Sequence, residues 1–437
     1  MFPVRPVVYQ TAGRLSTLRS LPALNRRSCP SGSTRPSSSS SSSTSSSSPS
    51  PSPSFSSSPS TANQGSDQPL LKKLRKRDHK HPEVIFSGIQ PSGQIHLGNY
   101  LGALSTWVNI QSTAPLSTEI YYSLVGLHAI TLPKDPVKLV EGRREMLATL
   151  LACGIDVERS CLYFQDMVPQ HAELAWILNC ITPVNKLKNM TTWKSKIATF
   201  KNSADEESIS ETDLHLGLFA YPVLQAADIL LYKATMIPVG EDQQQHLELA
   251  REIADTFNHR FSPKNKPFFP APQALITPSK RILSLRNASE KMSKSAPHAS
   301  SRIHLTDSSS MIQSKLRSAI TDSLPGITFD PVCRPGVSNL LTILAACQST
   351  PTNEVSPAEI AGGYGNMSMK DFKLEVADAV ESRIGPIRSE LDRLMQNGLE
   401  GGEEYLRDVA RKGAERAERR ASVVLAQAKE LVGLGSI

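Results

Sequence analysis

Two short stretches, far apart in the chain, carry residue types suited to handling a polyphosphate. The first is Gly88-Ile89-Gln90-Pro91-Ser92-Gly93-Gln94-Ile95-His96-Leu97-Gly98-Asn99-Tyr100. Glycines let a backbone approach a ligand closely, and a helix opening near Leu97 would offer unpaired N–H groups to an anion. A structural use, in which the glycines only let a strand and a helix pack, accounts for the same residues. The second stretch is Lys291-Met292-Ser293-Lys294-Ser295, two lysines three apart among small hydroxyl residues. Two ammonium groups on a loop can close over a triphosphate and stabilise charge building on departing pyrophosphate. Taken alone, such a string is also common on solvated surfaces.

The elements that must hold these stretches can be read from periodicity. Glu83 to Ser87 reads as a short strand that gives way to the Gly/Pro/Ser turn and then to a helical pattern from Leu97 to about Ile110. Ile120 to Val125 is a second buried strand, Pro136 to Ala152 has helical spacing, and Cys161 to Gln165 suggests a third strand before a helix starting near Pro169. Leu218 to Tyr232 is apolar with helical spacing, Met236 to Val239 is a strand, and Glu241 to Ala254 is a helix. Alternation of this kind predicts a parallel, doubly wound sheet. Beyond about Ser301 only helices are expected, at Met311–Ala319, Val337–Cys347, Met369–Leu394 and Gly402–Leu431. The reading is therefore an α/β domain at 83–300 followed by an all-helical domain at 301–437.

The N-terminal segment looks like an address rather than a fold. Met1 to Gly65 contains no Asp or Glu, while Arg5, Arg14, Arg19, Arg26, Arg27 and Arg35 punctuate small, apolar and hydroxylated residues. That is the composition of a mitochondrial transit peptide, placed here at 1–35, and implies a matrix protein. A disordered cytosolic tail is the alternative. Residues 36–82, rich in Ser and Pro and then in Lys, have too little apolar content to fold and are expected to be a disordered linker. The net charge of +7 suits contact with polyanions, though the leader supplies part of it. No apolar run approaches the ~18 to 20 residues of a membrane span, so no membrane is expected. Six cysteines, at 29, 153, 161, 180, 333 and 347, show no zinc-ligand spacing. They read as reduced, mostly buried thiols, and no metal of the protein's own is expected.

Together the two stretches resemble the His-Ile-Gly-His and Lys-Met-Ser-Lys-Ser signatures of class I aminoacyl-tRNA synthetases, in the expected order. The second is matched at every position; the first departs from it, with Leu97 in second place and Asn99 in fourth. Phe86 to Gly93, Leu127 to Thr131, Tyr221 to Tyr232, Val239 to His246 and Pro335 to Leu341 narrow the resemblance to the tryptophanyl branch.

The resemblance implies a Rossmann-like catalytic domain followed by a helical tRNA-binding domain that reads the anticodon. It also implies tryptophan and tRNA(Trp) as substrates, ATP with Mg²⁺, and a homodimer. It assigns Gln90, Pro91, Ser92, Gly98 and Asn99 to ATP, with Gly240, Glu241 and Asp242 bordering the ribose and Ile282 against the adenine. Lys291, Met292, Ser293, Lys294 and Ser295 would hold the phosphates; Lys291 and Lys294, assisted by Lys196, with Asn99, would carry catalysis.

An indole is an apolar body with one N–H donor, so a selective pocket needs one buried acceptor. Asp228, alone on an apolar helix, matches the family's indole-reading position. Tyr221 and Gln243 match positions holding the ammonium group, with His128 near the carboxylate. Gln225 stands where some bacterial relatives carry Met. His246 and Glu248 read as ordinary packing or surface residues, and the acidic loop at 203–213 is given no chemistry. Arg411, Lys412, Arg416, Arg419 and Arg420 suit either a tRNA backbone or a solvated helix face. Rival readings are the tyrosine enzyme of the same fold, a small-molecule nucleotidyltransferase, and a catalytically inactive RNA-binding relative.

Overall fold

The computed structural model describes residues 83–91, 93–190, 193, 196–197, 214–238, 240, 243–275, 281–294, 296–350, 353–396 and 402–435. The expected transit peptide and linker, Ser92, the 203–213 loop, Glu241, Asp242 and Ser295 lie outside the described residues, as does Cys29. Among the described residues five strands form one parallel sheet: β1 (Val84–Ile89), β2 (Glu119–Leu124), β3 (Cys161–Phe164), β4 (Met236–Pro238) and β5 (Gln273–Leu275), in the order β3-β2-β1-β4-β5. Ile85 pairs with Ile120 on one side and with Met236 on the other. The first three strands are apolar and almost wholly buried because helices cover both faces, as a parallel sheet requires.

Between β1 and β2 run α1 (Leu97–Asn99), a π-helical turn (Tyr100–Leu104) and α2 (Ser105–Thr113). Then come α3 (Gly126–Ala129) and α4 (Pro136–Ala152) before β3, and α5 (Gln170–Asn179), α6 (Val184–Lys188) and α7 (Leu216–Leu230) before β4. Asp135 caps α4, its side chain accepting from the Lys138 N–H, and Pro136 fills the first turn, where a missing N–H costs nothing. After β3 the chain crosses to the other side of β1, and α8 (Gln244–Phe261) joins β4 to β5. This reversal sets a switch point between β1 and β4. Ligands of open α/β sheets bind there, outside the carboxyl ends of the strands.

Five further helices follow: α9 (Ser309–Arg317), α10 (Pro335–Gln348), α11 (Pro357–Tyr364), α12 (Met369–Met395) and α13 (Gly402–Leu431). The core on one sheet face, with Ile85, Ile120, Leu147 and Leu162, runs without a break into α9, α10 and α12. On the other face Phe86, Tyr163, α7 and α8 form a second core. Helix α13 joins them, Leu406 and Val409 entering the first and Ala414 to Ala428 the second. It crosses the edge strand β3, where the Cys161 Sγ lies 3.4 Å from the Gly413 carbonyl oxygen, and so covers an edge that could otherwise pair with another chain.

Basic residues of α13 fasten this crossing. Arg416 donates to the carbonyls of Val157 and Glu158, and Arg420 to the Tyr232 carbonyl and the Glu119 carboxylate. Arg411 and Lys412 pair with Asp408 of their own helix. Cys153 and Cys161 are buried, Cys180 and Cys333 exposed and Cys347 intermediate, all as free thiols. The expectation that most are buried therefore fails: α5 ends at Cys180, and Cys333 sits in the turn before α10, positions outside the packed faces.

Candidate active site

The turn after β1 is held from two sides. His96 caps α1: the Asn99 N–H donates to its Nδ1 at 3.3 Å, while the His96 N–H reaches the Asn99 amide oxygen at 3.5 Å. Burial, and then the positive charge of Lys294 and its neighbours, holds the His96 imidazole down to about 3. It is neutral, and with Nδ1 accepting, its proton sits on Nε2. Antiparallel bonding to the segment after the second lysine stretch completes the support, Leu97 N–H to Ile303 and Leu305 N–H to Ile95.

The second stretch begins on the return arm of a hairpin that turns at residues 286–289. The Met292 N–H donates to the Ile282 carbonyl at 3.0 Å, and Leu283 bridges Lys291. Ile282 and Met292 are buried, so the ladder faces inward, whereas Lys291 is exposed. The Met292 Cβ stands 3.5 Å from where a Gly98 side chain would begin, and the Lys294 Nζ donates to the Gly93 carbonyl at 3.1 Å. Gly93 has φ 64°, a conformation that turns this carbonyl toward the lysine at no steric cost. The two polyphosphate candidates are therefore in contact across the end of β1. Burial lowers the Lys294 ammonium, with Glu145 on α4 partly opposing it.

Deeper, at the ends of β2 and β3, lies a cluster centred on Asp228 of α7, which is 1% exposed. One carboxylate oxygen accepts from the Gln165 amide at 2.7 Å and meets the His171 Nδ1 at 2.6 Å. The other accepts from the same amide at 2.8 Å and meets the His128 Nε2 at 2.8 Å. The Gln165 amide oxygen takes the Leu127 N–H, which ties the cluster to α3. Behind it the His171 Nε2 lies 3.0 Å from the hydroxyls of both Tyr163 and Tyr232. Burial works to raise the Asp228 carboxyl, but the bonds from His128 and His171 outweigh it and bring it down to about 2. Asp228 is thus a fixed anion held by three protein donor groups, the Gln165 amide reaching both oxygens.

Beside this cluster Tyr221, on the same helix, meets the His246 Nε2 at 2.7 Å, and the Lys196 ammonium lies over its ring, 3.4 Å from the centroid. Burial pulls Lys196 down to about 8. Gln243, in the turn after β4, accepts from the Gln225 amide at 3.4 Å, and its N–H donates to the Gly240 carbonyl. Pro91 is buried and Gln90 exposed beside the signature turn. Gln165 and His171 carry the cluster without having been singled out in the sequence. His246 is buried as a packing partner, and Glu248 is exposed and paired with Arg251.

Comparison with known proteins agrees with this architecture. The family model described as class I tRNA synthetases (W and Y) matches residues 78–385. The chain belongs to that family. A mitochondrial tryptophan–tRNA ligase of Schizosaccharomyces pombe is 42% identical over 360 residues, covering 81% of this chain and 96% of its own length. Its counterpart from Saccharomyces cerevisiae, also described as mitochondrial, is 39% identical, covering 80% of this chain and 90% of its own. Among solved structures, the Campylobacter jejuni tryptophanyl-tRNA synthetase complexed with ADP and tryptophan superposes with a TM-score of 0.65. The two are 28% identical, over 80% of this chain and all of that one. Membership of this synthetase family fits a switch-point site that pairs a lysine-bearing loop with a buried anion.

Proposed function

We propose that the chain is a tryptophan–tRNA ligase that activates L-tryptophan with ATP and transfers it to tRNA(Trp) in the mitochondrial matrix. The observation that carries this reading is the buried Asp228 anion at the switch point, within an apolar setting and beside the loop pair at Gly93 and Lys294. The tryptophan carboxylate attacks the α-phosphate in line; a C–O–P bond forms as the P–O bond to pyrophosphate breaks. Lys291 and Lys294 hold the phosphates and take up charge on the leaving group, with Lys196 assisting from the Tyr221 side and Asn99 held at the nucleotide by the His96 cap. Gln90, Pro91, Ser92 and Gly98 carry the nucleotide with Gly240, Glu241, Asp242 and Ile282; Met292, Ser293 and Ser295 complete the lysine loop. Mg²⁺ would come with the ATP phosphates rather than on ligands of the protein, since Lys291, Lys294 and the Asn99 amide are donors that suit phosphate oxygens.

Asp228 accepts the indole N–H in exchange for one bond it now makes. His128 is the donor that gives way, since it sits on a four-residue helix and is 6% exposed, whereas Gln165 and His171 are fully enclosed. Tyr221 and Gln243 face the ammonium group. The domain boundary is placed between residues 300 and 301, with 301–437 binding the anticodon and residues 1–35 directing import, joined to the fold by the linker at 36–82. Trp176 on α5 and Val184 on α6, both exposed apolar residues, support a homodimer through the α/β domain. Amino-acid-dependent exchange of pyrophosphate into ATP, with tryptophan and tyrosine supplied separately, tests the reading: exchange with tryptophan alone is expected, and exchange with tyrosine alone, or with neither, refutes it.

A further inference from the structure

The run Pro335 to Leu341 has no part in the chemistry above, yet one of its residues meets the hairpin that carries Lys291 and another meets the segment beside it. Asn339, buried on α10, spans the backbone of Leu283: its amide oxygen takes the Leu283 N–H at 2.8 Å, and its amide nitrogen donates to the Leu283 carbonyl at 3.1 Å. Leu283 is the residue bridged to Lys291. One turn earlier Gly336 packs against the segment beside the hairpin so closely that a Cβ there would stand 2.4 Å from the Ile320 carbonyl oxygen. The Ile320 N–H in turn donates to the Leu285 carbonyl at 2.9 Å, on the same hairpin arm.

Packing does not fix this contact by itself. A cavity of about 340 Å³ opens between the hairpin and α10, lined by Leu283, Ala288, Phe329, Pro335 and Asn339. On this solvent-open side Leu283 has few opposing protein atoms, so its placement leans on the Asn339 bonds, while Ile282, Leu285 and Met292 pack into the core on the other side. We infer that Asn339 is a positioning residue that fastens the hairpin carrying Lys291 to α10, so that the height of both lysines over the phosphates is set from the helical region as well as from the turn after β1. Its side chain touches no reacting atom. The inference rests on the reading of those lysines as phosphate-holding groups.

The test compares Asn339→Ala and Asn339→Asp in the full chain. Aspartate keeps the shape and the acceptor for the Leu283 N–H but removes the donor and sets an oxygen against the Leu283 carbonyl. Both variants are expected to lose about tenfold to a hundredfold in kcat for tryptophan-dependent pyrophosphate exchange, the scale of a displacement near 1 Å, while KM for tryptophan stays within about twofold of wild type. Trypsin should also cut faster after Lys291 and Lys294 in the folded variants. Wild-type kcat and wild-type cleavage in Asn339→Asp would overturn the inference. So would equal losses in tryptophan binding and turnover that track a lowered Tm, which would mark a merely structural residue. Absence of exchange in the wild-type chain would instead refute the functional reading, and the trypsin comparison would still decide whether Asn339 holds the hairpin.

Discussion

The Asp228 cluster and the Gly93–Lys294 contact lie in one site but are built in opposite ways. Around Asp228 every partner is enclosed: Gln165 and His171 are fully buried, two tyrosines stand behind them, and the carboxylate is shared among three side chains. In the lysine loop, in contrast, Met292 packs beside Gly98 and Lys294 bonds a backbone carbonyl of the signature turn, with Lys291 exposed. The difference suits the two tasks proposed for these regions. Discrimination between side chains needs a polar group whose geometry cannot relax, whereas charge must be brought to a leaving group only as it develops.

Perturbing each region should break a different step. The largest effect is expected from Asp228→Ala, which removes the acceptor and strands the donors of His128, His171 and Gln165. Tryptophan-dependent exchange should fall by about 10³ or more, mainly through weaker tryptophan binding, as steady-state kinetics and a binding isotherm would show. Replacing Lys291 and Lys294 together by Ala should lower kcat by roughly 10² to 10³ and leave tryptophan binding intact; a matching loss of binding would dissolve the division between the regions.

A smaller change is expected for His171→Ala. It deprives Asp228 of one of its bonds and should raise KM for tryptophan about tenfold and cost about 2 kcal/mol of stability in a denaturant titration, with kcat nearly unchanged. The mildest test is pH. Lys196 titrates near 8 before ATP arrives, so its charge is present below that value and lost above it. In a pH profile, kcat/KM for ATP should decline above about pH 8, and Lys196→Arg, charged throughout, should remove that decline. An unchanged alkaline limb in Lys196→Arg would place the lysine outside the phosphate site.

Much of the fold could be read from periodicity because its elements are long and strongly patterned. Pro136–Ala152 has the boundaries expected, fixed by a capping Asp and a first-turn Pro, and Gly402–Leu431 likewise. Strand β5 escaped notice because three residues preceded by prolines carry no alternation, and α11 because Gly362 and Gly363 dilute its pattern. The cluster around Asp228 is where sequence reading ends. Gln165 reads as the end of a strand and His171 as one polar residue on a helix. Their convergence on Asp228, 63 and 57 residues away, exists only once α5 and α7 are packed together beside the end of β3. Asn339 is similar: a run that resembled a family feature gained a physical role only when α10 was seen against Leu283.

The measurement that bears most directly on the division between a rigid selecting anion and a bond-held loop uses a tryptophan analogue whose indole N–H is replaced by sulfur. With this ligand no indole proton replaces the His128 donor that gives way, while Gln165 and His171 still hold Asp228, so the loss is one charge-assisted hydrogen bond rather than a stranded anion. Pyrophosphate exchange should therefore proceed with kcat/KM reduced by roughly 10², the reduction lying in KM. Equal kcat/KM for the analogue and tryptophan would contradict the account, because the buried carboxylate would then play no part in reading the side chain.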